Sequence, residues 1–188
     1  MQNKKKILYI VTIPDWGGAQ KYVFDLACQI NIGQFHQIIA AGPSAFNSKI
    51  NLLKKCSEFI NLAHEVHQTG LQCHQFKNLV REINPLKDFL AVLEIKKYIE
   101  IEKPDIVHLN SSKAGILGSF AATLSNHKLE VQYTVHGWVF LEPMSAWKKR
   151  LYIFLEKFAS RFRHKIIILG EREKIVAIEK KSSKYCEK

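Results

Sequence analysis

Glycine, hydroxyl and histidine residues that could bind a ligand concentrate in three short segments of this sequence, 14–20, 110–115 and 136–142. In the third segment, His136 could hydrogen-bond a ligand hydroxyl or a developing charge, and Trp138 or Phe140 could stack on a sugar ring. Taken singly, a lone histidine is more often a structural residue, and aromatic residues more often belong to the core. The coincidence of three such segments is the stronger observation, and it predicts a binding site.

The first segment places Gly17 and Gly18 at the start of a predicted helix. Two glycines permit close backbone approach, and the free N–H groups at a helix start attract phosphate or another anion. The alternative is a tight turn without a ligand. The spacing Gly-x-Gly-x-x-Gly is missing, no acidic residue ends the second predicted strand, and no Gly-x-x-x-x-Gly-Lys-Ser/Thr loop occurs. Both a dinucleotide site and an ATP-type phosphate loop are therefore disfavoured.

The second segment carries Ser111 and Ser112, either of which could cap the following helix, and Lys113, which adds a positive charge beside the helix start. Small residues then recur along the predicted helix and let it lie close to a sheet: Ala114, Gly115, Gly118, Ala121 and Ala122. The alternative interpretation is a capped helix without a ligand.

Short apolar runs alternate with helical patterns along the whole chain. Strands are predicted at 7–12, 37–41, 71–76, 106–109, 131–135 and 166–169, and helices at 18–30, 44 to about 65, 85–102, 112–124 and 146–163, with a ragged tail at 180–184. This alternation predicts an α/β fold with a doubly wound, mostly parallel sheet and helices on both faces. Ligands of such sheets bind beyond the carboxyl ends of the strands, so the three segments should share one edge.

The composition fits one soluble globular domain over residues 1–188, with 47% hydrophobic and 24% charged residues. No apolar run reaches the length of a membrane span, and the start of the chain is interpreted as a strand and not as a signal peptide, which predicts a cytoplasmic location. The net charge of +11 favours anionic partners. No nucleic-acid-binding motif occurs, so nucleic acid is not an expected partner.

The four cysteines, Cys28, Cys56, Cys73 and Cys186, are scattered, which predicts reduced thiols with Cys28 as a small core residue. A zinc site formed by His64, His67, Cys73 and His74 is disfavoured, because the spacing matches no standard finger. Cys73 and His74 would also point to opposite sides of a strand.

Segment 144–165 contains seven basic residues and one acidic residue, Glu156. Apolar residues recur in it at helical spacing: Trp147, Leu151, Phe154, Leu155, Phe158 and Phe162. The favoured interpretation packs this apolar side on the sheet and leaves the charges in water. The alternative is a basic amphipathic helix that docks on anionic lipid.

Four strings, at 17–20, at 79–88, at 104–108 with 111–118, and at 133–138, together resemble the N-terminal domain of family-4 glycosyltransferases over nearly the whole chain. These are retaining enzymes of the two-domain GT-B architecture, and many build capsule, exopolysaccharide or lipopolysaccharide. The resemblance implies that residues 1–188 form a single N-terminal, acceptor-side domain, which is one half of a GT-B fold. The C-terminal donor-binding domain, with its Glu-x₇-Glu pattern, would be absent.

The resemblance also implies roles for individual residues. His136 would be the catalytic residue beside the transferred sugar, and Gly17 and Gly18 would lie near the donor phosphates and the acceptor. The remaining substrate-binding residues would be Ser111, Ser112, Lys113, Gly115, Arg81, Gly137 and Trp138. No metal and no cofactor are expected, since the nucleotide sugar is a co-substrate. The sequence departs from the family at Asn110, Ser119 and Gly170, where histidine, arginine and serine are usual, and Ser119 removes a charge from the expected edge of the site.

The expected function is transfer of a sugar from a nucleotide sugar to a carbohydrate or polyprenyl-linked acceptor during cell-surface polysaccharide synthesis. The chain would then be a truncated or split half without activity of its own, cytoplasmic and peripheral on the inner face of the membrane. The alternative is a non-catalytic acceptor- or membrane-binding subunit that works with a separate donor-binding chain. A small nucleotide-binding oxidoreductase is disfavoured by the missing fingerprint.

Overall fold

A computed structural model describes residues 4–30, 34–45, 51–57, 71–179 and 186–187 of the chain. Strands and helices alternate along the described residues. The strands are β1 (Lys5–Val11), β2 (Phe35–Ala41), β3 (Leu71–Gln75), β4 (Ile106–Leu109), β5 (Glu130–Val135), β6 (Lys165–Ile168) and β7 (Cys186–Glu187). The helices are α1 (Gly18–Gln29), α2 (helical from residue 52 and described to residue 57), α3 (Pro85–Glu102), α4 (Ser112–Leu124), α5 (Ala146–Ala159) and α6 (Glu171–Glu179).

The strands form one parallel sheet in the order β3-β2-β1-β4-β5-β6-β7. The chain winds outward from β1 to β3 and then returns to place β4 on the other side of β1. Ile7 of β1 accordingly pairs with Gln37 of β2 on one side and with Ile106 of β4 on the other. A reversal of this kind opens a crevice at the carboxyl ends of the two central strands, and this crevice is the usual ligand site of open parallel sheets.

Both faces of the sheet are covered, because successive strand residues point to opposite sides. Tyr9 and Ile39 pack with α1 and α2 on one face, whereas Leu8 and Ile38 pack on the other with α3 and α4. The predicted α/β class, with a doubly wound sheet and helices on both faces, is therefore confirmed. No helix in the described part of the chain is long and apolar enough to cross a bilayer.

The predicted bounds of α3, β4 and α4 match the structure, and the other strands are shifted by one or two residues. The predicted helix from residue 44 is wrong at its start. Ser44 and Ala45 are not helical, and Asn51 forms a bridge with Asp15 before the helix begins at residue 52. The helix predicted over 146–163 ends at Ala159 and continues as one 3₁₀ turn, Ser160–Phe162. The sequence pattern does not predict helix α6 or strand β7, and the tail at 180–184 lies outside the described residues.

The prediction of reduced thiols is wrong for two of the cysteines. Cys56 of α2 and Cys73 of β3 form a disulfide, with their Cα atoms 6.4 Å apart. Cys28 is a free, half-buried residue of α1 and not a core residue as predicted. The prediction that Cys73 and His74 point to opposite sides is confirmed: Cys73 faces α2, and the ring of His74 stacks on Tyr98 of α3 at 3.9 Å. His64 and His67 lie outside the described residues.

The favoured interpretation of segment 144–165 is also wrong. Trp147 and Phe154 of α5 do not pack on the sheet, since they are 63% and 64% exposed, whereas Tyr152 on another side of the helix packs against the core. The buried residues of α5 are Glu156 and Ala159. Glu156 is buried because its carboxylate accepts a hydrogen bond from Arg163 at 2.8 Å, which pairs the two charges beneath the helix.

Candidate active site

The loop after β1 is held in one conformation by a buried carboxylate. Asp15 accepts hydrogen bonds from the Ser44 hydroxyl at 2.5 Å and from the backbone N–H of Ala45 at 2.8 Å. The Gln20 side chain donates to the carbonyl of Ile13 at 2.9 Å and closes the other end of the loop. These bonds tie the loop to the segment after β2, so the start of α1 has a fixed position on the carboxyl edge.

Gly17 and Gly18 form the exposed entry to α1. Gly17 is the N-cap residue, has extended backbone angles and, as a glycine, has no side chain with which to cap the first-turn N–H groups. A Cβ added at Gly18 would meet no atom of the described residues within 4 Å, so the helix start is open on this side. Uncapped N–H groups and the helix dipole favour an anion at this point. The arrangement suits a phosphate group.

The loop after β4 is joined directly to the loop after β1. The Ser111 hydroxyl lies 2.6 Å from the hydroxyl of Thr12 and accepts a hydrogen bond from the Thr12 N–H at 3.1 Å. Ser111 is the N-cap residue of α4, but its side chain makes no capping bond to the helix, which corrects that part of the prediction. Its hydroxyl instead joins the two central loops across the crevice.

His136 follows β5 at the same edge of the sheet. Its ring is half-buried, its Nε2 lies 3.5 Å from Oδ1 of Asn110, and its ring centroid is 5.0 Å from that of Tyr22 in α1. Tyr22 therefore connects the histidine to the helix that Gly17 and Gly18 begin. The geometric prediction that His136 shares an edge with these glycines is confirmed. Burial lowers the pKa of His136 below its ordinary value, so the ring is neutral near pH 7.

A second histidine lies beneath the first. His108 of β4 is buried, its Nε2 lies 2.7 Å from the Thr134 hydroxyl, and its ring contacts those of Tyr9 and Tyr22. Burial, with a contribution from His136, lowers the pKa of His108 to about 4. His108 is thus a buried, neutral support for the carboxyl edge.

Two of the predicted binding residues, Trp138 and Gly115, have structural roles instead. Trp138 is only 2% exposed, stacks on the buried Phe140 and donates its indole N–H to the carbonyl of Glu173, so the prediction that either ring stacks on a sugar is wrong. Gly115 is buried, and a Cβ there would lie 2.7 Å from the ring of Tyr133. Its small size lets α4 lie close to β5, as the run of small residues predicts.

Lys113 points toward α3. It forms an ion pair with Asp88 at 2.6 Å and donates to the backbone carbonyl of Glu82, while Arg81 of the same segment is exposed. The structure therefore brings Lys113 together with the 81–88 segment. Ser112 is half-buried in the first turn of α4. Gly137 has φ +128°, which only glycine adopts readily, so it fixes the turn after His136.

Ser119 stands where the family usually has arginine, and another residue supplies a positive charge near this position. Ser119 is buried in α4 and accepts a hydrogen bond from Nε of Arg163 at 3.1 Å, and the same guanidinium lies 4.0 Å from the centroid of the Tyr133 ring. A positive charge therefore occupies this region, but it comes from the segment before β6. It is buried and paired with Glu156, and it does not reach the open edge.

Sequence reasoning missed Thr12, Asp15 and Tyr22, which fix the loops and orient the ring of His136. Thr12 ends the first apolar run, and Asp15 lies within the first of the three segments but carries no local sign of its role. A polar residue at the carboxyl end of a predicted strand was the available signal for Thr12. The partners of Asp15 follow β2, so nothing local in the sequence indicates them.

The parallel sheet and its central reversal define an α/β protein of the Rossmann-like class. The model of the glycosyl transferase 4-like domain matches residues 17–175, which include all the site residues described here from Gly17 onward. The chain belongs to this family.

Two curated relatives resemble parts of the chain. One is the UDP-Gal:alpha-D-GlcNAc-diphosphoundecaprenol alpha-1,3-galactosyltransferase of Escherichia coli, 38% identical over 54% of this chain and 26% of that protein. The other is the capsular polysaccharide biosynthesis glycosyltransferase CapM of Staphylococcus aureus, 29% identical over 57% of this chain and 30% of that protein. The matches span about a quarter to a third of the length of these relatives.

Solved structures share the fold at low sequence identity. Anabaena Alr3699/HepE in complex with UDP superposes with a TM-score of 0.63 at 17% identity, covering 97% of this chain and 43% of that one. Sucrose-phosphate synthase from Thermosynechococcus elongatus superposes with a TM-score of 0.60 at 16% identity, covering 98% of this chain and 47% of that one. The described fold thus corresponds to somewhat less than half of each of these longer proteins.

Proposed function

We propose that this chain is the acceptor-side half of a retaining glycosyltransferase that transfers a sugar from a nucleotide sugar to a carbohydrate or polyprenyl-linked acceptor. The donor-binding half lies outside the 188 residues, and the assembled enzyme works on the inner face of the cell membrane. The observation that carries the proposal is the position of His136 beside the open start of α1, with Tyr22 between them. The E. coli relative, whose name specifies a diphosphoundecaprenol-linked substrate, supports this acceptor class.

The chemistry follows from the two groups at this edge. A neutral imidazole can hydrogen-bond a hydroxyl of the transferred sugar. Because it carries no positive charge, it does not attract the donor phosphates. The uncapped N–H groups of α1 can stabilise negative charge that develops on the departing diphosphate, in the manner of preorganised donors. The acceptor hydroxyl would approach from the side of α3 and α4, where segment 81–88 and Lys113 meet.

Transfer requires both halves, because the donor and the acceptor react only when both are held in the reacting geometry. We expect the purified 188-residue chain to release no sugar from a panel of nucleotide sugars. Addition of a separately expressed donor-binding domain from a longer relative should restore transfer to a polyprenyl diphosphate-linked acceptor, measured as radiolabelled product. Turnover by the chain alone would contradict the proposal.

A histidine variant separates the proposed site from general effects on folding. His136→Gln should lower the restored rate by roughly 100-fold or more, the range typical for removal of one group that acts on the transition state. His36→Gln is the matched control, since His36 lies at the amino end of β2 on the opposite edge. Equal rates for the two variants would remove His136 from the mechanism. Binding of the donor-binding domain without turnover would favour the non-catalytic subunit.

A further inference from the structure

Helix α5 presents an apolar stripe to solvent. The side chains of Trp147, Leu151, Phe154 and Phe158 are 63%, 38%, 64% and 38% exposed. Their spacing of four, three and four residues places them on one face of the helix. Glu156 and Ala159, the buried residues of the helix, lie on the opposite face. We call these four residues the α5 stripe.

Basic residues flank the α5 stripe along its length. Arg150, Lys157 and Arg161 are exposed and follow one another at helical spacing beside the aromatic residues. Lys148 and Lys149 add two exposed cations in the first turn. The acidic residue of α5, Glu156, is buried and paired with Arg163, so every exposed charge of this helix is positive.

The apolar surface continues onto α3. Ile83 and Leu151 line one groove of about 70 Å³ between α3, α4 and α5. Beyond Ile83, the start of α3 exposes Leu86 and Phe89. The acidic residue in this groove, Asp88, is paired with Lys113. The surface therefore combines large apolar side chains with cations, and its one lining carboxylate already has a partner.

We propose that the α5 stripe and its basic flank dock on an anionic bilayer. Exposed aromatic side chains insert at the boundary between headgroups and acyl chains, and the adjacent cations bind anionic headgroups. The stripe follows the outer side of α5 from its start near the carboxyl edge to its end near the amino edge of the sheet. A partner domain that met only the carboxyl edge would leave most of it uncovered. This inference rests on the proposed function. It adds the surface by which the acceptor-side half is held at the membrane.

Vesicle binding tests the surface without any measurement of transfer, so its failure is distinguishable from failure of the proposed function. The 188-residue chain should sediment with phosphatidylcholine vesicles that contain phosphatidylglycerol and much less with phosphatidylcholine alone. Added salt should weaken binding, since surface attraction is screened over about 8 Å at physiological ionic strength. Brominated lipids should quench the fluorescence of Trp147, and the quenching should be lost in Trp147→Phe.

Matched variants identify the surface. Phe154→Ser should weaken binding several-fold, whereas Ile178→Ser, at a position of α6 with 63% exposure, should leave it unchanged. The triple variant Arg150→Gln, Lys157→Gln, Arg161→Gln should lose about fivefold in affinity for each cation removed. The control triple Lys5→Gln, Lys54→Gln, Lys128→Gln removes the same charge from other exposed positions and should have a much smaller effect.

Three results would overturn the inference. The first is equal binding to neutral and anionic vesicles, and the second is an equal loss of affinity in the two triple variants. The third is a Phe154→Ser variant that still binds vesicles but no longer self-associates or no longer binds the donor-binding domain. That result would assign the α5 stripe to a protein partner.

Discussion

At the scale of the residue, His108 couples the stability of the fold to pH. Burial lowers its folded-state pKa to about 4, whereas an unfolded chain returns it to an ordinary value near 6.5. Because the unfolded state binds the proton more tightly, stability is full above about pH 6.5 and falls as the pH drops toward 4. The difference between the unfolded-state and folded-state pKa of His108 corresponds to a loss of roughly 3 kcal/mol in the free energy of unfolding at the acid end of this window.

We therefore expect the free energy of unfolding, measured with urea at a series of pH values, to decline between about pH 6.5 and about pH 4. His108→Gln should flatten the decline, because glutamine does not titrate and can still reach the Thr134 hydroxyl. The difference between the two profiles isolates His108 from other groups, including the buried Glu156, whose raised pKa acts in the opposite direction. Parallel profiles would show that His108 is not the responsible group.

Ser111 illustrates how far residue-level prediction reaches. Its type and position correctly placed it at the start of α4, on the edge where the site lies. Its hydroxyl partner is Thr12, 99 residues earlier in the chain, so the local pattern could only suggest the commoner capping role. Trp138 is a second example of a partner that is distant in sequence. The carbonyl that accepts its indole N–H belongs to α6, so the local pattern suggests a ligand-binding role instead.

At the scale of the element, Arg163 connects α5 to α4, because it pairs with Glu156 of α5 and donates a hydrogen bond to Ser119 of α4. Arg163→Met should destabilise the fold by about 3 to 5 kcal/mol, because it leaves a buried carboxylate without its partner. The double variant Glu156→Leu, Arg163→Met should recover most of this loss, since no charge then remains buried. Urea unfolding measures both, and Lys21→Met in the exposed pair with Asp25 is the control, with little or no change expected.

An equal loss in the single and double variants would show that the cavity, and not the unpaired charge, causes the destabilisation. The same ion pair explains why the orientation of α5 could not be predicted. Hydrophobic spacing favours the aromatic side as the buried one. A paired, buried carboxylate reverses this orientation, and its partner lies beyond the end of the helix.

At the scale of the whole molecule, the disulfide joins α2 to β3, on the edge of the sheet. A cross-link between residues separated by 17 positions restricts the unfolded chain and contributes about 3 kcal/mol. Dithiothreitol should therefore lower the urea midpoint of the wild-type chain, and Cys73→Ser should have the same midpoint with or without reductant. Cys28→Ser should behave as wild type. A wild-type midpoint that does not respond to reductant would contradict the pairing.

Prediction of the whole fold succeeded where each element carries its own signal. The strand and helix alternation, the Pro85 start of α3 and the small residues of α4 are local, and they led directly to the parallel sheet. The cysteine pairing and the bridge that Asn51 forms with Asp15 depend on contacts between distant segments. The sharing of one edge by Gly17, Ser111 and His136 was predictable, because it follows from the direction of parallel strands.

The strand order also determines when the candidate site can form during synthesis. A chain emerges from the ribosome with its amino end first, and β1 can pair with β2 as soon as Ala41 is available. The other side of β1 has no partner until Ile106 to Leu109 have been made, and the hydrogen bonds between Thr12 and Ser111 come later still. Strand β1 therefore has one edge without a partner during this stage of synthesis, and the loop that carries Gly17 and Gly18 is held on the side of β4 only after Ser111 has been translated.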